Sequence, residues 1–116
     1  MSANALSESH CQPCANDTRP LDREQASTLL EQLHSDWMLS ADDREISRTY
    51  EFKNYYQTMA FVNALAWIAH SEDHHPDIEV SYKRCHVRYS THMIGGLSNN
   101  DFICAAKIDA LLPAAA

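Results

Sequence analysis

The chain has 116 residues, of which 45% are hydrophobic and only two are glycine, and its formal charge is −7. That length and apolar content suit one domain around one core and exclude a disordered or collagen-like chain. The acidic balance argues against direct nucleic-acid binding, which needs clustered Lys and Arg, and fits a surface that keeps a protein dissolved.

Residues 1–20 read as a polar, flexible tail that carries one Cys-x-x-Cys, Cys11 and Cys14, with His10 beside it. The start, MSANALSESH, has no basic n-region and no apolar h-region, so no secretory signal is expected. The apolar runs ALAWIA (64–69) and ALLPAAA (110–116) fall far short of the roughly 18–20 residues that span a bilayer. A cytoplasmic location without membrane association is therefore expected, with the four cysteines as thiols. A structural zinc site usually needs a second Cys pair, haem attachment needs His where Ala15 stands, and a thioredoxin-like site needs a flanking strand and helix. The pair reads as mobile thiols, with a metal shared between subunits as the lesser reading. Cys85 and Cys104 read as core residues.

A domain is expected over 21–112, with a short tail at 113–116. Asp22 and Gln25 form a capping box for a helix over about 23–34, whose apolar face is Leu29, Leu30 and Leu33. WMLS (37–40) and REISRTYEF (44–52) flank a turn and read as a hairpin, with Ile46, Arg48, Tyr50 and Phe52 on one face. A helix follows over about 54–72, with Met59, Val62, Ala66 and Ala69 at helical spacing and Phe61, Leu65 and Ile68 widening the stripe. More than half its circumference is apolar, which predicts cover from the sheet and from a neighbouring subunit. Pro76 blocks continuation. DIEVSYK (77–83) and CHVRYSTH (85–92) alternate as two more strands, with Val87, Tyr89 and Thr91 opposite His86, Arg88, Ser90 and His92. Ser98 to Asp101 form a second capping box for the last helix. The order is helix–β–β–helix–β–β–helix. It predicts an α+β fold, a four-stranded antiparallel sheet with helices packed on one face.

The stretch Glu72-Asp73-His74-His75-Pro76 concentrates titratable groups at a helix end. Imidazole gives or takes a proton near neutral pH, and two adjacent rings that repel when both are charged favour a mixed state, an acid and a base in one site. The bland reading is a helix C-terminus decorated with His for its dipole. His92 ends a polar strand face and joins the pair only if that strand tip lies beside the helix end. Asp101 fits a capping acid. His70 and His74 have a chelating spacing of four, but Ser71 stands where the zinc-protease pattern needs Glu and no third ligand is evident, so no metal is expected.

Taken together, His74-His75-Pro76, Tyr82, His92 and Asp101 at their spacings, with STHMIGGLSNNDF (90–102) and FKNYYQTMAFVNALAWIAHSEDHHP (52–76), resemble the pterin-4a-carbinolamine dehydratases, also called the dimerisation-cofactor family. The resemblance covers about 21–112. It implies the α+β subunit above, assembled as homodimers or homotetramers. It implies dehydration of 4a-hydroxytetrahydropterin (4a-hydroxytetrahydrobiopterin dehydratase activity) to quinonoid dihydropterin. This step supports tetrahydropterin recycling and links the protein to an aromatic amino acid hydroxylase. Carried over by position, His74, His75 and His92 are catalytic, Asp73, Ser90 and Thr91 line the pterin pocket with them, and Asp101 supports it. Pterin is then the substrate and no cofactor is implied. The alternative is a dimerisation or regulatory binding partner that needs no catalysis. Two features depart from the pattern: His70 stands where many members have a carboxylate, and the Cys-rich tail lies outside the motif.

Overall fold

The structure, a computed structural model, describes residues 6–15 and 17–112. The tail expected at 113–116 lies outside them. Helix α1 (Arg23–Leu30) begins at the expected capping box: the Asp22 carboxylate accepts from Gln25 N at 2.8 Å, and Gln25 Oε1 accepts from Asp22 N at 2.9 Å. It ends at Leu30 rather than near 34, and Leu33 reaches the core from the following turn. Strands β1 (Met38–Leu39) and β2 (Ile46–Glu51) pair antiparallel. In their connection Ser40 Oγ accepts from the N–H groups of Arg44 and Glu45 at 3.2 and 3.1 Å, and Asp43 takes a positive φ of 63°.

The long helix α2 (Tyr55–Glu72) is capped by Asn54, whose side-chain oxygen accepts from Gln57 N at 2.8 Å. Its buried face is Thr58, Phe61, Leu65 and Ala69. The apolar positions on the other side, Ala66 and Trp67 among them, are exposed in the single chain, Trp67 by 68%. Strands β3 (Asp77–Val80) and β4 (Arg84–Tyr89) complete an antiparallel sheet of order β1-β2-β4-β3. Both are shorter than the sequence pattern suggests. The Ser81 N–H to Arg84 carbonyl bond closes the hairpin, so Tyr82 falls in the turn. Beyond Tyr89 the chain bridges Thr91 to Gly96 across a 3-10 turn, His92–Ile94, which Gly95 ends at φ 69°. The last helix, α3 (Asn99–Asp109), starts at the second capping box.

The helices cover the sheet face from which Ile46, Tyr50, Cys85, Val87 and Tyr89 point. Phe102, Leu97 and Ile108 fill the space between and are fully buried, each worth roughly 1.5–3 kcal/mol of transfer free energy. At the far end of α3, Asp109 accepts from Trp37 Nε1 and Arg48 Nη1, both at 2.8 Å, and from the Tyr50 hydroxyl. That carboxylate ties the helix end to β2 and to the turn before β1.

The stretch read as a free polar tail is docked over residues 6–14. Leu6 joins the core, Lys107 Nζ donates to the Ser7 carbonyl at 2.9 Å, and Asn100 holds Gln12 from both sides. One leucine and a row of matched backbone groups achieve this, without any periodic apolar stripe.

Candidate active site

The end of α2 sets the site. Asp73 N–H donates to His70 O at 3.3 Å and His74 N–H donates to Ala69 O at 3.1 Å, while Asp73 adopts φ 52°, ψ 44°. This is a Schellman motif, with the left-handed position occupied by aspartate. It stops the helix one residue before the histidine pair, and Pro76 then sends the chain into β3.

His74 turns inward. Its Nε2 lies 2.6 Å from Asp101 Oδ1, its ring stacks on Tyr89 with centroids 5.8 Å apart, and its side chain is 12% exposed. Asp101 is fully buried. Its other oxygen accepts from the Thr91 hydroxyl at 2.8 Å and from Ser98 N–H at 2.9 Å, and Thr91 and Ser98 also bond each other at 2.8 Å. One carboxylate thus caps α3 and grips the histidine. Burial alone disfavours the imidazolium, but the hydrogen bond and charge of Asp101 outweigh it and raise the His74 pKa above its ordinary value.

A cavity of about 530 Å³ opens where the end of α2 meets the tip of β4. Asp73, His74, His75, Ser90, Thr91 and His92 all line it. Asp101 does not; it stands behind His74. His75 and His92 are exposed, and His92 Nε2 lies 3.9 Å from Asp77 Oδ2. Tyr82 is in the β3–β4 turn, outside the cavity lining, and stacks on Tyr55. His70 is also outside it and packs against the Trp67 ring at 5.6 Å. Among the described residues no three His, Cys, Asp or Glu side chains converge as a metal-ligand set.

The opposite wall is one the sequence reading missed. Cys11, Gln12, Pro13 and Cys14 line the same cavity, with Glu72 and Asn100. Glu72 accepts from Cys11 N at 2.7 Å and pairs with His10 Nδ1 at 2.8 Å, with Lys107 Nζ 3.7 Å away. Burial opposes its ionisation, yet these donors hold its carboxyl below the usual range. Asn100 accepts from Gln12 N at 3.0 Å and donates to Gln12 O at 2.7 Å. Only the position of Glu72 beside the histidines hinted at a role; its partners Cys11 and His10 lie 61 and 62 positions away in sequence. The result is a pocket with one enclosed imidazole backed by a buried carboxylate and two accessible imidazoles, groups that can exchange protons near neutral pH.

Comparison with known proteins agrees with this architecture. The chain is similar to a Nitrosomonas eutropha protein named "Putative pterin-4-alpha-carbinolamine dehydratase", at 60% identity over 107 residues, 92% of this chain and 93% of that one. A Legionella pneumophila (strain Lens) protein of the same name is 55% identical over 107 residues, covering 92% of this chain and 95% of its own. The crystal structure of a transcriptional coactivator/pterin dehydratase from Brucella melitensis superposes with a TM-score of 0.76 at 27% identity, covering 80% of this chain and 98% of that one. A family profile described as Pterin 4 alpha carbinolamine dehydratase matches residues 19–111. By that match and these identities, the chain belongs to the pterin-4-alpha-carbinolamine dehydratase family.

Proposed function

We propose that the protein dehydrates 4a-hydroxytetrahydropterin to quinonoid dihydropterin by histidine acid–base catalysis. The observation that carries this reading is the single cavity lined by His74, His75 and His92, with Asp101 behind His74. Its volume of about 530 Å³ suits a bicyclic ring with a short side chain. Loss of the C4a hydroxyl needs a proton on the departing oxygen, and the C4a=N5 double bond forms as N5 gives up its proton; one water leaves. His74, whose charged form Asp101 favours, donates to the oxygen. His75 and His92, both open to solvent, take the N5 proton and orient the ring, while Asp73, Ser90 and Thr91 supply polar contacts. The 4a-adduct decays unaided, so this chemistry calls on no metal, cofactor or covalent nucleophile; the pterin is the substrate.

In this reading the product returns to a reductase and then to an aromatic amino acid hydroxylase. The open side of α2, with Trp67, and the outer edge of β3 are the surfaces on which a homodimer or homotetramer assembles. The uncovered apolar side of α2 equally favours the second reading, a regulatory binding partner.

The test follows decay of the 4a-carbinolamine with and without protein. Wild type accelerates it, and His92→Ala and His75→Ala each slow it by roughly 10²–10⁴-fold. Decay left at its spontaneous rate by wild type leaves the binding-partner reading, and activity untouched in His92→Ala moves the site elsewhere. Loss of activity with a chelator points to a metalloenzyme instead.

A further inference from the structure

The proton-transfer chemistry leaves one reactive pair unused. Cys11 Sγ and Cys104 Sγ lie 3.5 Å apart, although 93 residues separate them in sequence. Cys104 is fully buried in α3, one helical turn beyond Asp101, whereas Cys11 is half-exposed on the segment that walls the cavity. Cys14 sits apart, beside the Asn100 amide nitrogen at 3.7 Å, and Cys85 is buried in β4.

We propose that Cys11 and Cys104 form a redox modification site, closed into an intrachain disulfide by a small two-electron oxidant of the peroxide class. A disulfide needs the sulfurs at about 2.05 Å. Cys11 lies on a loop held by a few hydrogen bonds, so it can supply the approach while the helix stays in place. One thiol is oxidised by hydrogen peroxide to a sulfenic acid, releasing one water. The second thiol attacks that sulfur, the S–S bond forms, and hydroxide leaves with the thiol proton as a second water. Both cysteines are oxidised, and one peroxide is reduced. Cys11 is the sulfur that peroxide can reach, and the hydrogen bond between the sulfurs lowers the pKa of buried Cys104, which makes Cys104 the nucleophile that resolves the oxidised Cys11. The disulfide joins the 10–14 wall to the helix that positions His74 through Asp101, so oxidation fixes one side of the cavity.

The experiment exposes the full chain to dilute hydrogen peroxide, blocks remaining thiols, and maps unreduced peptides by mass spectrometry. A Cys11–Cys104 linked peptide is expected, with two thiols lost per chain and both recovered by dithiothreitol. Cys11→Ser abolishes the link and Cys14→Ser retains it. Because Cys104→Ala alters the core, Cys11→Ser, at the half-buried loop position, carries the control. A Cys11–Cys14 link as main product, unlinked sulfinic acid at Cys11, or no thiol loss overturns the proposal. None of these readouts depends on dehydratase activity.

Discussion

Replacing Asp101 by Asn tests whether that carboxylate tunes His74 as well as capping α3. The aspartate accepts from three groups: Thr91 and Ser98 at one oxygen and His74 at the other. Asparagine offers one oxygen and one NH2. Thr91 and the Ser98 N–H are donors and keep the oxygen, so the NH2 faces His74 Nε2. That nitrogen must then present a lone pair, and the ring is held neutral with its proton on Nδ1. The variant loses a charge-assisted hydrogen bond, about 1.5–3 kcal/mol. The sign of its pH dependence follows from the raised His74 pKa. A raised histidine contributes stability that is fully present below the unfolded value of about 6.5 and is lost as pH rises through the folded value. Urea unfolding should therefore show a wild-type-to-Asn gap that is widest in mild acid and narrows in base. Dehydration should fall by on the order of 10²-fold, and the pH–rate profile should lose the limb due to His74. A stability gap of equal size across that range, with an unaltered pH–rate profile, would refute the assignment and leave Asp101 as a cap only.

Asn100→Ala removes both bonds to Gln12, each worth about 1 kcal/mol, so hydrogen exchange across residues 10–14 should quicken and KM should rise more than kcat falls. Unchanged exchange there would mean that the Glu72 and Cys11 contacts hold the wall without the Asn100 side chain. Asp109→Ala strands the largely buried Arg48 guanidinium and should lower stability by about 3 kcal/mol, since Asp36 at 3.8 Å offers only an exposed substitute. Activity per folded molecule should be unaffected, because Asp109 lies at the end of α3 remote from the cavity; denaturant midpoints and active-site titration check both statements.

Local signals were the most legible part of the sequence. Both capping boxes formed where Asp22-Gln25 and Ser98-Asp101 placed them, and alternation put Ile46, Tyr50, Val87 and Tyr89 inside. These features depend on neighbours a few residues apart. Helix α2 was harder to orient: its apolar residues occupy so much of the circumference that the sequence could not say whether the Phe61-Leu65 side or the Ala66-Trp67 side meets the sheet. Asp101 looked like either a cap or a site residue, and the two readings proved compatible because its two oxygens face different partners. The docking of residues 6–14 was illegible. Its partners, Glu72, Asn100 and Cys104, lie some 61 to 93 positions away, and hydrogen bonds between such distant groups leave no period in the chain.

The left-handed aspartate at the end of α2 has a consequence for substitution. Glycine would adopt the backbone of Asp73 without the steric penalty of a Cβ, about 1 kcal/mol. Asp43 takes the same left-handed backbone in the β1–β2 turn, so the chain tolerates aspartate in that conformation; what sets Asp73 apart is that it lines the cavity. Asp73→Gly separates backbone from side chain: thermal melting should show a sturdier chain, and binding of the proposed pterin substrate should weaken.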